Sequence, residues 1–502
     1  MEYILNAAEA AKIDSISIQE IKIPSVVLME KAAMAVMQCI KEKCIACNGN
    51  GIHNLHTVKI LAICGMGNNG GDGVACARMF KEAGFDASIL LVGNKDKATE
   101  EMQIQIDIAK NLNLRFITKP GDNEYNIIID ALFGTGLSRN IEGEYLKWVN
   151  WINSQPSQVV SVDIPSGINA DNGHIYGCAV KASHTVTFGS SKRGLVLFPG
   201  ASYSGNVTIA DIGFPEIAVK KVSPKAYTYK KEDLPLLMPE RGARTNKGNF
   251  GRVLVVAGSA GMSGACCLAA KAAYRAGCGL VRVATAPQNV DIIKAYLPEA
   301  ITGTYTDGIT DSIKWADVIA IGPGTGTEED ARKLVKEVLE VRDKPVVMDA
   351  DALNILPYLM PSGTGIDRYA LTGNFIITPH LKEMARLTGA DLNDIKENIT
   401  DYVSGHKSGC TIVLKDARTV VSNGGTVYIN TTGNNALATG GSGDVLCGIM
   451  AGLLAQGMKP LKAAALAVFI HGMAADSYAG KRNRYSMVAS DIIEELPYIL
   501  PF

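Results

Sequence analysis

The sequence carries no charge excess of either sign: 49 Lys and Arg face 50 Asp and Glu, a formal net charge of −1 at pH 7. That balance leaves no electrostatic footprint for non-specific nucleic-acid binding or for docking on an anionic membrane. Long apolar runs are also missing. The longest, near Cys447–Ala455 and Ala463–Ile470, fall well short of the roughly 18 residues that a membrane span needs. The expected partners therefore include neither nucleic acid nor membrane. The opening residues Met1 to Asn6 hold an early acid and no extended apolar core, so a signal peptide is not expected and a cytoplasmic location is. No Gly-x-x-x-x-Gly-Lys-Ser/Thr string occurs, which excludes a P-loop. No internal period of about 20–50 residues suggests a repeat fold.

Cysteine offers no disulfide framework. The 11 cysteines are an odd number, and several sit inside apolar runs, such as Cys64 and Cys447, where a reduced thiol behaves as a small hydrophobe. Cys44 and Cys47, with Cys39 before them and His53 and His56 after, have a zinc-like Cys-x-x-Cys spacing. No second pair follows at the usual distance, so a helix end running into a polar loop is the favoured reading.

What is present is core-forming material: 502 residues, 47% hydrophobic and 20% charged. The length suggests two to four domains at roughly 150 residues each. A Pro- and Lys-rich stretch from Asp211 to Lys247 reads as an interdomain connection. The expected organisation is a first domain over 1–215, a linker and domain entry over 216–245, and a second domain over 246–502. Strands are expected at Val58–Cys64, Ala87–Val92, Ile127–Ala131, Val159–Asp163, Thr185–Phe188 and Val207–Ala210. In the second half they are expected at Val253–Ala257, Leu280–Ala284, Val318–Ile321, Val346–Asp349, Phe375–Thr378 and Thr411–Leu414. Helical periods separate them, notably Val74–Ala83 and Glu101–Asn111. Near-continuous apolar strands alternating with helices predict two doubly wound α/β domains with parallel sheets.

After the first strand comes Gly65-Met66-Gly67-Asn68-Asn69-Gly70-Gly71-Asp72-Gly73. Gly65-x-Gly67-x-x-Gly70 matches a dinucleotide fingerprint in a strand–turn–helix setting, but no acid ends the next strand to bind a ribose. Asp72 also sets a negative charge at the helix start, where a pyrophosphate favours N–H donors. The expected ligand is nucleotide-like or polyhydroxyl, not a redox cofactor held in the usual Rossmann manner. The loops after two further strands carry Asp130 and Gly134-Thr135-Gly136-Leu137-Ser138-Arg139-Asn140, and Asp163-Ile164-Pro165-Ser166-Gly167. Parallel strands bring Asn69, Asp130, Asp163 and Ser166 to one crevice. Such oxygen-rich groups suit a hard cation, and a free carboxylate there can act as an acid or base.

With these strings in order, residues 1 to about 215 resemble the epimerase domain of the NAD(P)H-hydrate repair system. The resemblance implies that Asn68, Asn69, Gly70, Gly71 and Asp72, with Gly134, Thr135, Gly136, Leu137, Ser138, Arg139 and Asn140, line the hydrate pocket. It implies a potassium ion on Asn69, Asp130 and Ser166, with Asp163 at the reacting nicotinamide ring.

The second half contains Asn434-Asn435-Ala436-Leu437-Ala438-Thr439-Gly440-Gly441-Ser442-Gly443-Asp444 before the apolar helix Val445–Ala455. The three glycines form a nest of N–H donors suited to a phosphoryl group, and Asp444 is placed to take a proton from an attacking hydroxyl. This arrangement is similar to the ribokinase-like superfamily. Lys247-Gly248-Asn249-Phe250-Gly251, Gly322-Pro323-Gly324, Asp349-Ala350-Asp351 and Thr378-Pro379-His380 narrow it to the ADP- or ATP-dependent NAD(P)H-hydrate dehydratase branch. The resemblance implies that Gly324, His380, Leu381, Lys382, Glu383, Met384, Ala385, Arg386 and Asp444 bind the S hydrate. Lys415, Asp416, Ala417 and Arg418, with Asn434 to Gly443, are implied to bind ADP or ATP. Magnesium would be held largely through water and phosphate oxygens, with Asp349 and Glu383 as outer partners. Lys382 stands where the family usually has Gly, and Cys278 where Ala is common. A homo-oligomer is expected, as is common for such folds. The alternative reading is a ribokinase-like small-molecule kinase fused to a non-catalytic ligand-binding module.

Overall fold

The computed structural model describes residues 1–45, 57–121, 124–306, 308–360 and 362–501. Cys47, His53 and His56 of the Cys-x-x-Cys motif lie outside the described residues. The described cysteines are free thiols, buried except for the half-buried Cys178. Among the described residues, no helix is long and apolar enough to cross a membrane. The chain divides into two compact units, Tyr3–Lys225 and Ala226–Phe502, the latter joined by Met1–Glu2. The stretch 216–245 holds the helix Glu216–Val222 and the strand Ala226–Thr228, on opposite sides of that division.

The N-terminal unit has a 7-stranded sheet in the order Arg115–Ile117, Asp86–Leu91, Lys59–Cys64, Ile127–Ala131, Gln158–Val162, His184–Phe188 and Asn206–Ala210. Every pairing in it is parallel. Its central strands are buried residue after residue because both faces are covered, which is why they read as unbroken apolar runs. Chain order reverses between Lys59–Cys64 and Ile127–Ala131, so the crevice for a ligand opens beyond their carboxyl ends. There the loop turns tightly: Gly65 N donates to Ala131 O at 2.9 Å, and a Cβ on Gly70 would lie 1.9 Å from Gly65 O. The following helix is Asn68–Glu82, which starts well before the apolar pattern beginning at Val74. Asp72 therefore sits inside the helix, not at its start.

The C-terminal unit's sheet follows Ile301–Thr304, Leu280–Thr285, Arg252–Val256, Val318–Ile321, Val346–Met348, Phe375–Ile377, Thr411–Leu414, Val420–Ser422, Val427–Ile429 and Ala226–Thr228. The α/β expectation holds, with one difference. Val420–Ser422 pairs antiparallel with both neighbours, forming a hairpin at the end of the parallel run. The helix Ser442–Ala455 lies deep, packed against the helix Ser263–Arg275 through small residues. A Cβ on Gly448 would lie 2.2 Å from Ala269 O, and one on Gly452 2.6 Å from Ala273 O.

That contact predicts opposite effects for two Gly→Ala changes. Alanine raises helix propensity by about 1 kcal/mol at either site. At Gly448 its methyl collides with backbone, and overpacking costs about 1–3 kcal/mol. Gly264, in the facing helix, has open space where a methyl would go, with nothing within 4 Å. Gly448→Ala should lower the thermal unfolding midpoint and Gly264→Ala raise it, read by calorimetry.

Candidate active sites

In the N-terminal unit, Asp163 follows the strand Gln158–Val162 with a left-handed φ of +62°. Its N–H donates to Val186 O at 2.8 Å. Its Oδ1 accepts from Thr187 Oγ1 at 3.0 Å, Phe188 N at 3.2 Å and Lys192 Nζ at 2.5 Å. The Lys192 side chain is 3% exposed, and its ammonium also donates to Thr187 Oγ1 and Phe188 O. Removing an ammonium from water is costly without a partner, so the lysine and Asp163 stabilise each other's charge. Sequence reasoning missed Lys192. Its only signal is a lysine just past the strand His184–Phe188, and the contact depends on tertiary placement.

A cavity of about 880 Å³ opens beside this pair. It brings together Asn68, Asn69, Asp72, Gly134, Thr135, Gly136, Leu137, Ser138, Arg139 and Asp163. Gly70, Gly71 and Asn140 do not line it. Positions 70 and 71 are packed against Gly65 and Met29, and the Asn140 side chain lies towards Gly177. Asp72 is buried, and that burial, followed by Asp163 and Asp14, pushes its carboxyl well above the usual carboxylate range. The helix Ala7–Ser15 supplies Asp14 to the wall, although no motif in the sequence marks it.

Asp130 is fully buried at the end of Ile127–Ala131. Ser166 Oγ donates to its Oδ1 at 2.6 Å, while Ser166 N and Ser161 Oγ donate to Oδ2 at 2.9 and 2.7 Å. Burial raises its pKa against the pull of these neutral donors. Asn69 Nδ2 is buried with no hydrogen-bond partner, and a Cβ on Gly134 would lie 3.3 Å from Asn69 Oδ1. A buried carboxylate served only by neutral donors, with hydroxyl and amide oxygens nearby, has the donor chemistry of a site for a hard monovalent cation.

In the C-terminal unit, the helix Ser442–Ala455 starts at Gly441, whose φ of +87° a glycine adopts without strain. Asp444 lies in the first turn, near the helix's free N–H groups. Burial and then the neighbouring Asp349 push its carboxyl up to about 7, with Lys415 opposing. Asp349 ends the strand Val346–Met348 and is nearly inaccessible. Its Oδ1 accepts from Lys415 Nζ at 2.7 Å and Thr378 Oγ1 at 2.6 Å. Burial pulls Lys415 down, but Asp349 and Glu383 reverse this and hold its ammonium charged. Gly443 borders both groups: a Cβ there would lie 3.5 Å from Lys415 Nζ and 3.6 Å from Asp349 Oδ2.

His380 caps the helix Leu381–Thr388: its Nδ1 accepts from Glu383 N at 3.1 Å, and Glu383 Oε2 accepts from His380 N at 2.8 Å. Burial, with Lys415 and Arg386 nearby, lowers the His380 pKa and keeps the ring neutral. Lys382 is exposed on that helix, whereas Glu383 and Met384 are buried in it. Gly324, with φ of +59°, lies after the strand Val318–Ile321, close to Met262 and Ala265. Lys415, Asp416, Ala417 and Arg418 follow the strand Thr411–Leu414, and Arg418 Nη1 donates to Thr431 O at 3.2 Å. Asn434 caps the short helix Asn435–Leu437 and donates to Asp476 Oδ1 at 2.8 Å. Ala438, Thr439 and Gly440 lead from there into Gly441. Behind the loop, buried His471 Nε2 lies 3.2 Å from Ser442 Oγ and 3.0 Å from Ser442 O. Among the described residues, no group of three or more His, Cys, Asp or Glu is placed to hold a metal ion.

Residues 253–498 match a family model described as NAD(P)H-hydrate dehydratase, and residues 25–194 match one described as YjeF-related protein N-terminus. A bifunctional NAD(P)H-hydrate repair enzyme Nnr of Moorella thermoacetica is 36% identical over 530 residues, covering 99% of this chain and 96% of that one. The enzyme of the same name from Escherichia coli is 34% identical over 448 residues, covering 88% and 84%. A crystal structure of a ribokinase-like superfamily protein from Enterococcus faecalis is similar with a TM-score of 0.50 at 32% identity. It covers 55% of this chain and 95% of that one. The chain thus belongs to the family of bifunctional NAD(P)H-hydrate repair enzymes, with a Rossmann-like N-terminal unit and a ribokinase-like C-terminal one.

Two outcomes follow from the ion pairs. Lys192→Met removes the only cation on Asp163 Oδ1 among the described residues, and epimerisation should fall about 100-fold, the low end for an acid–base group. Dehydration by the same preparation should be unchanged, both read by chromatography of the hydrates. With the Asp444 carboxyl pushed up to about 7, a dehydration rate that requires its ionised form rises with pH through that value and then levels. Asp349→Asn removes the neighbouring negative charge that raises Asp444, so the rising limb should move to lower pH.

Proposed function

We propose that this chain interconverts the R and S hydrates of NADH and NADPH in its N-terminal unit and dehydrates the S form in its C-terminal unit, using ADP or ATP. The observation that carries this reading is chemical. Each unit holds a carboxylate–lysine pair at the carboxyl end of a parallel strand, Asp163–Lys192 beside a large cavity and Asp349–Lys415 beside Asp444 at a glycine-rich helix start. A kinase fused to a passive module would have no use for the Asp163–Lys192 pair, and relatives align along almost the whole chain.

In the first unit, the ring nitrogen's lone pair expels the C6 hydroxyl, and a carboxylate at Asp163 assists loss and return of water at that carbon. Asn68, Asn69 and Asp72, with Gly134 to Arg139, bind the hydrate. Asn69, Asp130 and Ser166 would hold a potassium ion, which supplies the positive charge that buried Asp130 lacks. In the second unit, Asp444 takes the proton from the C6 hydroxyl as that oxygen attacks the terminal phosphorus of the nucleotide. The N–H groups of Gly440 to Gly443 face the transferred phosphoryl group. Phosphate then leaves with its C–O electron pair, driven by the ring nitrogen, and loss of the C5 proton restores the dihydronicotinamide. Asp349 and Glu383 would be the outer partners of a magnesium ion, which would supply charge neutralisation at the nucleotide phosphates. Gly324 and His380 to Arg386 bind the hydrate; Lys415 to Arg418 and Asn434 to Gly443 bind the nucleotide. The assembly is a homo-oligomer in the cytoplasm.

The test is incubation of the full chain with mixed hydrates and ADP or ATP. Wild type should convert both epimers to NAD(P)H. Asp163→Ala should stall with the R form left over, beyond its slow spontaneous turnover, and Asp444→Ala should equilibrate the epimers without making NAD(P)H. Consumption of S alone by the wild type would refute the epimerase assignment.

A further inference from the structure

Inversion at C6 needs a proton delivered to the hydroxyl that leaves and a proton removed from the water that returns on the other face. Asp163 suits the proton removal, because Lys192, Thr187 and Phe188 all donate to its Oδ1, the pattern of a carboxylate accepting protons, not of an acid giving one. Protonation of the departing hydroxyl requires another group in the same cavity.

Four further acidic side chains reach it: Asp14, Asp72, Glu101 and Asp211. The cations facing it are Lys97, Arg139 and Lys192. Glu101 accepts from Ser25 Oγ at 2.6 Å and Asp211 from Gly213 N at 2.7 Å, so both have structural partners. Asp14 and Asp72 have no hydrogen bond or ion pair among the described residues, although Asp72 is only 9% exposed. An unpartnered carboxyl buried to that degree beside a large cavity is costly unless a ligand completes it. These two differ in what they can do. Asp72 sits inside the helix Asn68–Glu82 and is almost closed to solvent, so it has no ready route for reloading a proton, and burial moves its carboxyl well above the carboxylate range. Asp14 is half-buried on the helix Ala7–Ser15, which is anchored by the Asn6–Glu9 capping box. It reaches both the cavity and solvent, so it can give a proton to a ligand and regain one from water, and burial, with Glu101 and Asp163 nearby, moves its pKa upward.

We propose that Asp14 is the second acid–base residue of the epimerase, acting on one face of the ring while Asp163 acts on the other. The inference rests on the assignment of this cavity as the hydrate pocket. In the forward direction Asp14 gives its proton to the C6 hydroxyl. The C–O bond breaks, water departs, and the nitrogen lone pair becomes the C6=N1 bond of a cation. A water then bonds to C6 from the opposite face, the electron pair returns to nitrogen, and the surplus proton passes to Asp163. The reverse reaction, or exchange with solvent, restores the starting protonation.

The experiment follows R-to-S conversion by chromatography with the full chain and no adenine nucleotide, so that dehydration is silent. Asp14→Asn should lower kcat about 100-fold with KM within about threefold. It should also abolish the alkaline limb, which in the wild type falls as Asp14 loses its proton. Asp14→Glu, which keeps the acid, should recover at least about a tenth of the wild-type rate and retain that limb. An Asp14→Asn enzyme within about threefold of wild type, or loss of the limb in Asp72→Asn instead, overturns the proposal. If Asp163→Asn is also unimpaired, the pocket assignment fails with it; if Asp163→Asn is inactive, the pocket stands and only Asp14 is wrong.

Discussion

A carboxylate withdrawn from water stays useful only if something nearby settles its charge, and both units of this protein meet that constraint in the same way. Asp163 is met by Lys192 and Asp349 by Lys415, in each case at the carboxyl end of a parallel strand. Neither pair is an efficient way to stabilise a fold, because desolvation offsets most of the Coulombic gain. Their effect is positional. One fixes an acceptor oxygen at the wall of a cavity. The other sets a negative charge beside Asp444, lifting that residue to the range in which a carboxylate exchanges protons at neutral pH.

The two sheets make these placements possible. Unbroken apolar strands bury the backbone on both faces, leaving the strand ends as the places where polar side chains can emerge together. Close approaches without side chains then bring loops to the ends: Gly70 against Gly65 in one unit, and Gly448 against Ala269 beneath the glycine-rich turn of the other. The chemistry rests on rigid elements, with flexible glycine confined to the turns that face a ligand.

Much of this was legible in the sequence because it is local. The strands Ile127–Ala131, Val318–Ile321 and Thr411–Leu414 match their apolar runs, and most others differ by a residue at an end. The helices Asn68–Glu82 and Ser442–Ala455 begin earlier than their apolar patterns because glycine and asparagine have poor propensity but still supply helical N–H groups when tertiary contacts hold them. The hairpin Val420–Ser422 and Val427–Ile429 was not foreseen, since three-residue strands carry too little periodicity. Lys192 and Asp14 were missed for a different reason. Their meaning lies entirely in what the fold places beside them, as Asp163 is 29 residues from the lysine that serves it. His380, which the motif marks as a ligand, is also the cap of its own helix, a local role that the pattern Thr-Pro-His-x-x-Glu equally encodes.

The left-handed backbone at Asp163 confines what can ever occupy that position. A side chain there meets steric resistance of roughly 1–2 kcal/mol unless it is glycine or a short polar residue such as Asn or Asp. Of those three only aspartate carries a charge. Glutamate, the obvious chemical substitute, carries that conformational cost in addition to an extra methylene, whereas the easily accommodated replacements leave a well-folded but inert pocket. The position is therefore one where the chain can lose its chemistry without losing its shape, and where the only other acid comes at a conformational cost.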